Sequence, residues 1–139
     1  MRQAKLRILL LLWLVAVCGC ADTNRKPLEQ LCKSIQKNVT SKFRPEIQKL
    51  NGQEKAITLF RDTSRDGYQT VQEFLRGKPQ LTTPVLKQVQ EYRDAEYEAW
   101  QHHDAVLRNG NFNLTPEEFD QGTQLCKTAA LKFMAIGSK

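Results

Sequence analysis

Between Phe60 and Phe74 the chain reads F-R-D-T-S-R-D-G-Y-Q-T-V-Q-E-F, and its oxygen-bearing residues fall at alternating positions. Asp62, Ser64 and Asp66 offer side-chain oxygens two residues apart. Tyr68 adds a main-chain carbonyl, Thr70 a hydroxyl and Glu73 a carboxylate able to bind through both oxygens. A hard cation such as Ca2+ takes roughly six to eight oxygen ligands from a tightly curved loop. The set meets that demand on paper, with Gly67 where the sharpest bend would fall. The expected cofactor is Ca2+ or none.

This order resembles the calcium loop of the EF-hand family, with Asp62, Ser64 and Asp66 at its first, third and fifth positions, Gly67 at the sixth and Glu73 at the twelfth. The resemblance implies that Tyr68 and Thr70 complete the ligand set. Gln69 departs from it where an aliphatic residue is usual, Arg61 stands where a phenylalanine is usual, and Arg61 and Arg65 bring positive charge to a cation site. EF-hands come in pairs, and residues 107–119 form a degraded partner: Asn109, Asn111, Leu114, Thr115, Glu118 and Phe119 match, while Leu107 and Phe112 do not. That second loop is not expected to bind calcium. Thr70 with Glu73 and Thr115 with Glu118 also fit capping boxes, in which Thr accepts from the backbone N–H three residues on and Glu reaches back. Two ordinary helix starts therefore explain the second half of each loop equally well.

The elements that would position these residues are helices. From Pro27 the apolar residues Leu28, Leu31, Cys32, Ile35, Val39 and Phe43 follow one helix face. Pro45 should end or kink that helix near Phe43. Asn51-Gly52 marks a turn. A short helix over residues 53–61 with Ala56, Ile57, Leu59 and Phe60 comes next, then a loop at 62–67 and a short helix from Thr70 through Val71, Phe74 and Leu75. Thr83 as cap and Pro84 as first residue open the longest helix, which carries Val85, Val89, Tyr92, Ala99 and His103 and ends near Arg108. The last helix begins at Thr115-Pro116 with Phe119, Gly122, Cys126, Ala129, Phe133 and Ile136 on its face. The expectation is an all-α domain of about five helices, for which a degenerate EF-hand-like pair is one available form.

Export is the clearest message of the N-terminus. Arg2, Lys5 and Arg7 precede an unbroken apolar run from Ile8 to Val17, followed by Cys18, Gly19, Cys20 and Ala21. Positive, apolar and small is the order that signal peptidases read, and the run is about half the length of a membrane span. Val17-Cys18-Gly19-Cys20 resembles the bacterial lipobox, apart from Cys18 where alanine or serine is usual. The resemblance implies acylation of Cys20, attachment to the membrane through lipid, and sorting to the outer membrane facing the periplasm because Ala21 rather than Asp follows. Residues 1–20 are then the signal, 21–26 a short tether and 27–139 one helical domain. The alternative is an ordinary secretory signal that releases a soluble protein; Asn38 and Asn113 both head sequons compatible with a secreted origin. Either way the mature domain keeps Cys32 and Cys126, and an exported protein with two cysteines is expected to bridge them. Closing a loop of about 95 residues would contribute on the order of 4 kcal/mol.

Composition excludes several classes. The chain has 139 residues, 40% hydrophobic and 26% charged, which suits one globular core. Its formal charge of +6 falls to +3 once the three leader cations leave, and the remaining Lys and Arg are interspersed with acids, so no nucleic acid is expected as a partner. His102 and His103 are adjacent rather than a turn apart, so they read as a solvated pair and not as zinc ligands. Neither a nucleophile with its base nor a phosphate-binding glycine loop is present in the sequence, and no enzyme is expected. The leading expectation is a lipid-anchored, non-enzymatic envelope protein that binds another protein at the membrane surface, as an inhibitor, an immunity or exclusion factor, or an assembly accessory. Tyr92, Tyr97 and Trp100 on the long helix are its candidate contacts, with burial in the core as the alternative. A calcium-binding EF-hand-like module and a secreted structural protein are the other readings.

Overall fold

The computed structural model describes residues 24–138; residues 1–20, expected to be a signal ending at Cys20, and residues 21–23 of the expected tether lie outside the described residues. Four helices make up the domain. Helix α1 (Arg25–Asn38) continues through a π-helical turn (Val39–Phe43) and a closing α turn (Arg44–Ile47). Helices α2 (Gln53–Arg76), α3 (Thr83–Asn109) and α4 (Pro116–Ala135) follow, and the described residues contain no strand. The all-α expectation holds, with four helices in place of about five.

The count differs because residues 53–61 and 70–75 are not separate helices. Residues 62–67, expected to loop, are helical and join them into the 24 residues of α2. Tertiary packing explains this: Ile57, Phe60, Ser64, Gly67 and Val71 are all buried and are spaced alternately three and four apart, one continuous helix face. Ser64 and Gly67 interrupt the apolar pattern in sequence yet occupy core positions on the same stripe. At about 1.5 Å of rise per residue, Asp62 and Glu73 lie about 16 Å apart along the axis. The set Asp62, Ser64, Asp66, Tyr68, Thr70 and Glu73 therefore cannot converge on one ion. Three members have other partners instead: Asp62 pairs with Arg61 at 2.8 Å and Arg65 at 3.4 Å, Asp66 with Lys42 at 2.7 Å, and the Thr70 hydroxyl donates to the Asp66 carbonyl at 2.7 Å. Thr70 and Glu73 do not form a capping box, since no helix begins there. Thr115 and Glu118 do, with the Glu118 N–H 3.2 Å from the Thr115 hydroxyl and the Thr115 N–H 2.8 Å from the Glu118 carboxylate.

Of the two outcomes expected at Pro45, an end or a kink near Phe43, the helix does not end there but becomes irregular. The helix widens by one residue just before the proline, with the Arg44 N–H donating to the Val39 carbonyl, and then runs on to Ile47. A π turn absorbs the missing proline donor without breaking the helix. The Thr40 and Ser41 hydroxyls donate to the Gln36 and Lys37 carbonyls at 2.8 and 2.6 Å, satisfying acceptors near the same turn.

Helix α1 begins at Arg25, before Pro27. Asn24 is 3% exposed, and its amide brackets Thr82, donating to the hydroxyl at 3.3 Å and accepting the Thr82 N–H at 2.9 Å. Thr82, one residue before the expected Thr83, occupies the N-cap position of α3 without a side-chain capping bond. The start of the domain is thereby clamped to the start of its longest helix.

Helix α3 is central, packed along α2 on one side and α4 on the other. The main core joins Leu28, Leu31, Cys32 and Ile35 of α1 to Val71, Val85, Val89, Tyr92, Ala129, Phe133 and Ile136. A second cluster gathers Phe43, Ile47, Ala56 and Phe60, with Phe119 and Cys126 against it. Cys32 belongs to the first cluster and Cys126 to the second, and the expected disulfide does not join them. The α1 face that carries Cys32 packs into the apolar core, so the domain is held by burial rather than by a covalent tie.

The helical course of residues 62–73 sets an expectation for metal. Thermal melts of the full chain in millimolar calcium and in chelator should coincide; a rise in melting temperature with calcium that disappears in Asp62→Ala would contradict the continuous α2.

Candidate functional site

The inner face of α3 carries two polar side chains into the bundle, Glu96 toward α2 and His103 toward α4. The Tyr92 hydroxyl, one turn before Glu96, donates to Glu96 Oε1 at 2.8 Å. Ser64 of α2 also hydrogen-bonds the carboxyl and lies within reach of the Cys126 thiol of α4. Tyr92 is 2% exposed and Ser64 3%, so both partners are fixed inside the fold. The four groups come from three helices and meet beside a cavity of about 90 Å³. Its remaining wall is mostly apolar: Ile35, Val39 and Phe43 from α1 and its π turn, Phe60 from α2, Ala130 and Phe133 from α4.

Burial dominates the electrostatics. It pushes the Glu96 carboxyl up from its ordinary 4.5 to about 7, against the opposing hydrogen bonds from Tyr92 and Ser64. Burial, with the Glu96 charge adding to it, pushes the Cys126 thiol up to about 12. A thiol held protonated is a weak nucleophile. The cluster can therefore accept hydrogen bonds and exchange a proton near neutrality, but it does not present an activated cysteine.

Two glycines make the arrangement possible. A Cβ built on Gly67 would lie 2.8 Å from Glu96 Oε1, and one on Gly122 would lie 2.7 Å from His103 Nε2. Gly67 was expected at the bend of a loop; it lies instead in mid-helix, where glycine costs about 1 kcal/mol relative to alanine. The missing side chain leaves the space that the Glu96 carboxyl fills. His103 is 2% exposed, contrary to the solvated pair expected of it. Its Nδ1–H donates to the Ala99 carbonyl at 2.7 Å, its ring packs on Phe60 at 5.5 Å, and burial lowers it to about 4, which keeps the imidazole neutral.

The three aromatics expected as partner contacts separate. Tyr92 is core, packed on Phe133 with centroids 5.2 Å apart. Tyr97 and Trp100 stand on the outer side of α3, where Tyr68 of α2 joins them, 5.2 Å from Tyr97 and 5.6 Å from Trp100. Tyr97 is 45% exposed. Tyr68, read as a calcium-loop carbonyl, thus contributes its ring to a surface cluster. Glu96 was missed because a glutamate in a long helix reads as solvated; its signal was the α2 stripe, in which Ser64 and Gly67 sit at core spacing opposite it. Among the described residues no group of three or more His, Cys, Asp and Glu is placed to hold a metal.

Opposed protonation effects follow from the two buried groups. Between pH 4.5 and 7 the unfolded chain loses the Glu96 proton while the native state keeps it, so stability falls as pH rises and the penalty is constant above 7. Between pH 6.5 and 4 the unfolded chain gains a His103 proton that the native state refuses, so stability falls as pH drops. The slopes oppose each other from 4.5 to 6.5. Denaturant titrations of Glu96→Gln should show stability rising relative to wild type by about 2 kcal/mol across that window, and His103→Phe should show a comparable fall. Parallel curves for wild type and both variants would rule out buried titrating groups. Gly122→Ala should lower stability by about 1–3 kcal/mol through its clash with His103.

No protein-family model matches the chain, and comparison with curated proteins and with solved structures finds no significant similarity.

Proposed function

We propose that this chain is a lipid-anchored envelope protein without enzymatic activity, whose helical domain binds another protein at the membrane surface. The observation that carries the reading is the outward cluster of Tyr68, Tyr97 and Trp100, three aromatic rings within 6 Å of one another at their centroids on the face shared by α2 and α3. Aromatic side chains gathered on a surface are the residue types that anchor protein interfaces, because they remove much apolar area from water at a small entropic cost. Arg93 and Asp94 pair beside the cluster, as do Arg108 and Asp104 a turn or two beyond, which suits a polar rim.

Anchoring follows from the lipobox resemblance of residues 17–20, with Cys20 as the acylated residue. Three residues lie between Cys20 and Asn24, four steps along the chain that can span at most about 14 Å. Asn24 is fixed to Thr82 at the start of α3. Tyr97 lies 14 residues along α3 from Thr83, about 21 Å up the helix. Attachment at Cys20 keeps that end of the bundle, and the aromatic cluster with it, near the bilayer, which suits a partner that is itself in or on the membrane. Among the described residues no helix is both long and apolar enough to cross a bilayer.

Capture from bacterial envelope extracts, with the tagged full chain against Trp100→Ala and Tyr97→Ala, tests the interface. A partner retained by wild type and lost by both variants, at unchanged melting temperature, is the expected result; equal capture by all three chains refutes it. Mass spectrometry of the membrane-extracted protein tests the anchor, and an unmodified N-terminus at Ala21 would remove it.

A further inference from the structure

Glu96 presents a problem that the interface on the outer face does not touch. A carboxyl sits inside the bundle at the wall of an apolar cavity, and among the described residues no lysine, arginine or histidine pairs with it. The groups facing it are Ser64 from α2, Tyr92 from its own helix and Cys126 from α4, while α1 contributes only Ile35, Val39 and Phe43. Ser64 and Tyr92 hydrogen-bond the carboxyl, and neither neutralises charge. A carboxylate has about four acceptor sites, so two remain for another donor.

The space beside it is larger than a single water needs. A cavity holds one water at roughly 15 Å³, and this one measures about 90 Å³. Its lining is mostly aliphatic and aromatic, and an apolar void of that kind accepts an organic molecule in preference to a chain of waters. Besides Thr63, whose hydroxyl donates to the Leu59 carbonyl at 2.8 Å, the polar lining is the group Ser64, Tyr92 and Glu96. The occupant that matches both the apolar wall and this group has a short apolar body and a head that donates hydrogen bonds and carries positive charge.

The geometry points to a binding site for a small primary amine, a short alkyl or single-ring ammonium, with its hydrocarbon among Ile35, Val39, Phe43, Phe60 and Phe133 and its nitrogen on the Glu96 carboxylate. An anionic ligand is disfavoured by the same carboxyl, and a neutral apolar one leaves its free acceptor sites unused. The π turn contributes Val39 and Phe43 to the wall, which places an irregular stretch of helix at the site. Ammonium binding draws Glu96 into its ionised form, so affinity rises with pH through neutrality until the amine itself loses its proton.

The experiment is a titration of the full chain with n-butylammonium, followed by backbone amide chemical shifts, beside the neutral isostere 1-butanol. Saturable shifts at residues around Ser64, Glu96 and Cys126, stronger at pH 8 than at pH 5, are expected for the amine. Glu96→Gln should weaken the amine by about tenfold or more and leave butanol unaffected. Ala130→Leu keeps the carboxyl and fills the cavity, and should abolish binding of both; it decides the matter if Glu96→Gln does not fold. Absence of saturable shifts, equal affinity for amine and alcohol, or unchanged amine binding in a folded Glu96→Gln or Ala130→Leu overturns the site. Loss of this site would leave the aromatic interface standing, since the two share no residue.

Discussion

Buried polar groups on the central helix dictate how close its neighbours come. Helix α3 turns Val85, Val89, Tyr92 and Ala99 inward with Glu96 and His103 among them. A polar group removed from water destabilises the fold unless it finds partners, and here partners are found within the bundle: Tyr92 and Ser64 for Glu96, the Ala99 carbonyl for His103. Both side chains also need room. Gly67 and Gly122 provide it, each where a methyl group would strike the polar end of an α3 side chain. The interhelical spacing on both sides of α3 is thus set by two polar residues fitted against two glycines, and the apolar clusters close around them.

That fit has a cost and a use. Burying Glu96 and a neutral His103 forgoes hydration at every pH where the unfolded chain would ionise them, and the opposite signs of their shifts flatten the dependence of stability on pH in the mildly acidic range. The Glu96 carboxyl leaves a polar mark on an otherwise apolar cavity, the kind of asymmetry from which ligand orientation arises. The second surface feature, Tyr68 with Tyr97 and Trp100, lies on the outside of the same α2–α3 pair. The continuous α2 serves both: its inner stripe holds Ser64 and Gly67 against Glu96, and its outer side carries Tyr68.

Much was legible in the sequence alone. The apolar spacing of α1, the length of α3 with its Val85 to His103 stripe, the face of α4 and the capping box at Thr115 and Glu118 are local properties, fixed by side-chain period and backbone chemistry that operate within a few turns. The same local logic failed at residues 62–67, where Asp, Ser and Gly together favour a turn. Only α3, lying alongside, supplies the contacts that reward a helix there: Glu96 for Ser64 and Gly67, and the core for Val71. A proline at 45 that should break a helix is carried by a π turn because Phe43 and Ile47 are buried on its two sides. Cys32 and Cys126 were paired by compartment reasoning, but the packing put them in different clusters. The sequence by itself determined the all-α class and the inward apolar faces of α1, α3 and α4, since each depends on neighbours in the chain; the tertiary structure decided that α2 is continuous, which polar residues lie inside, which aromatics lie outside and where the cavity opens, since each depends on residues brought together from different helices.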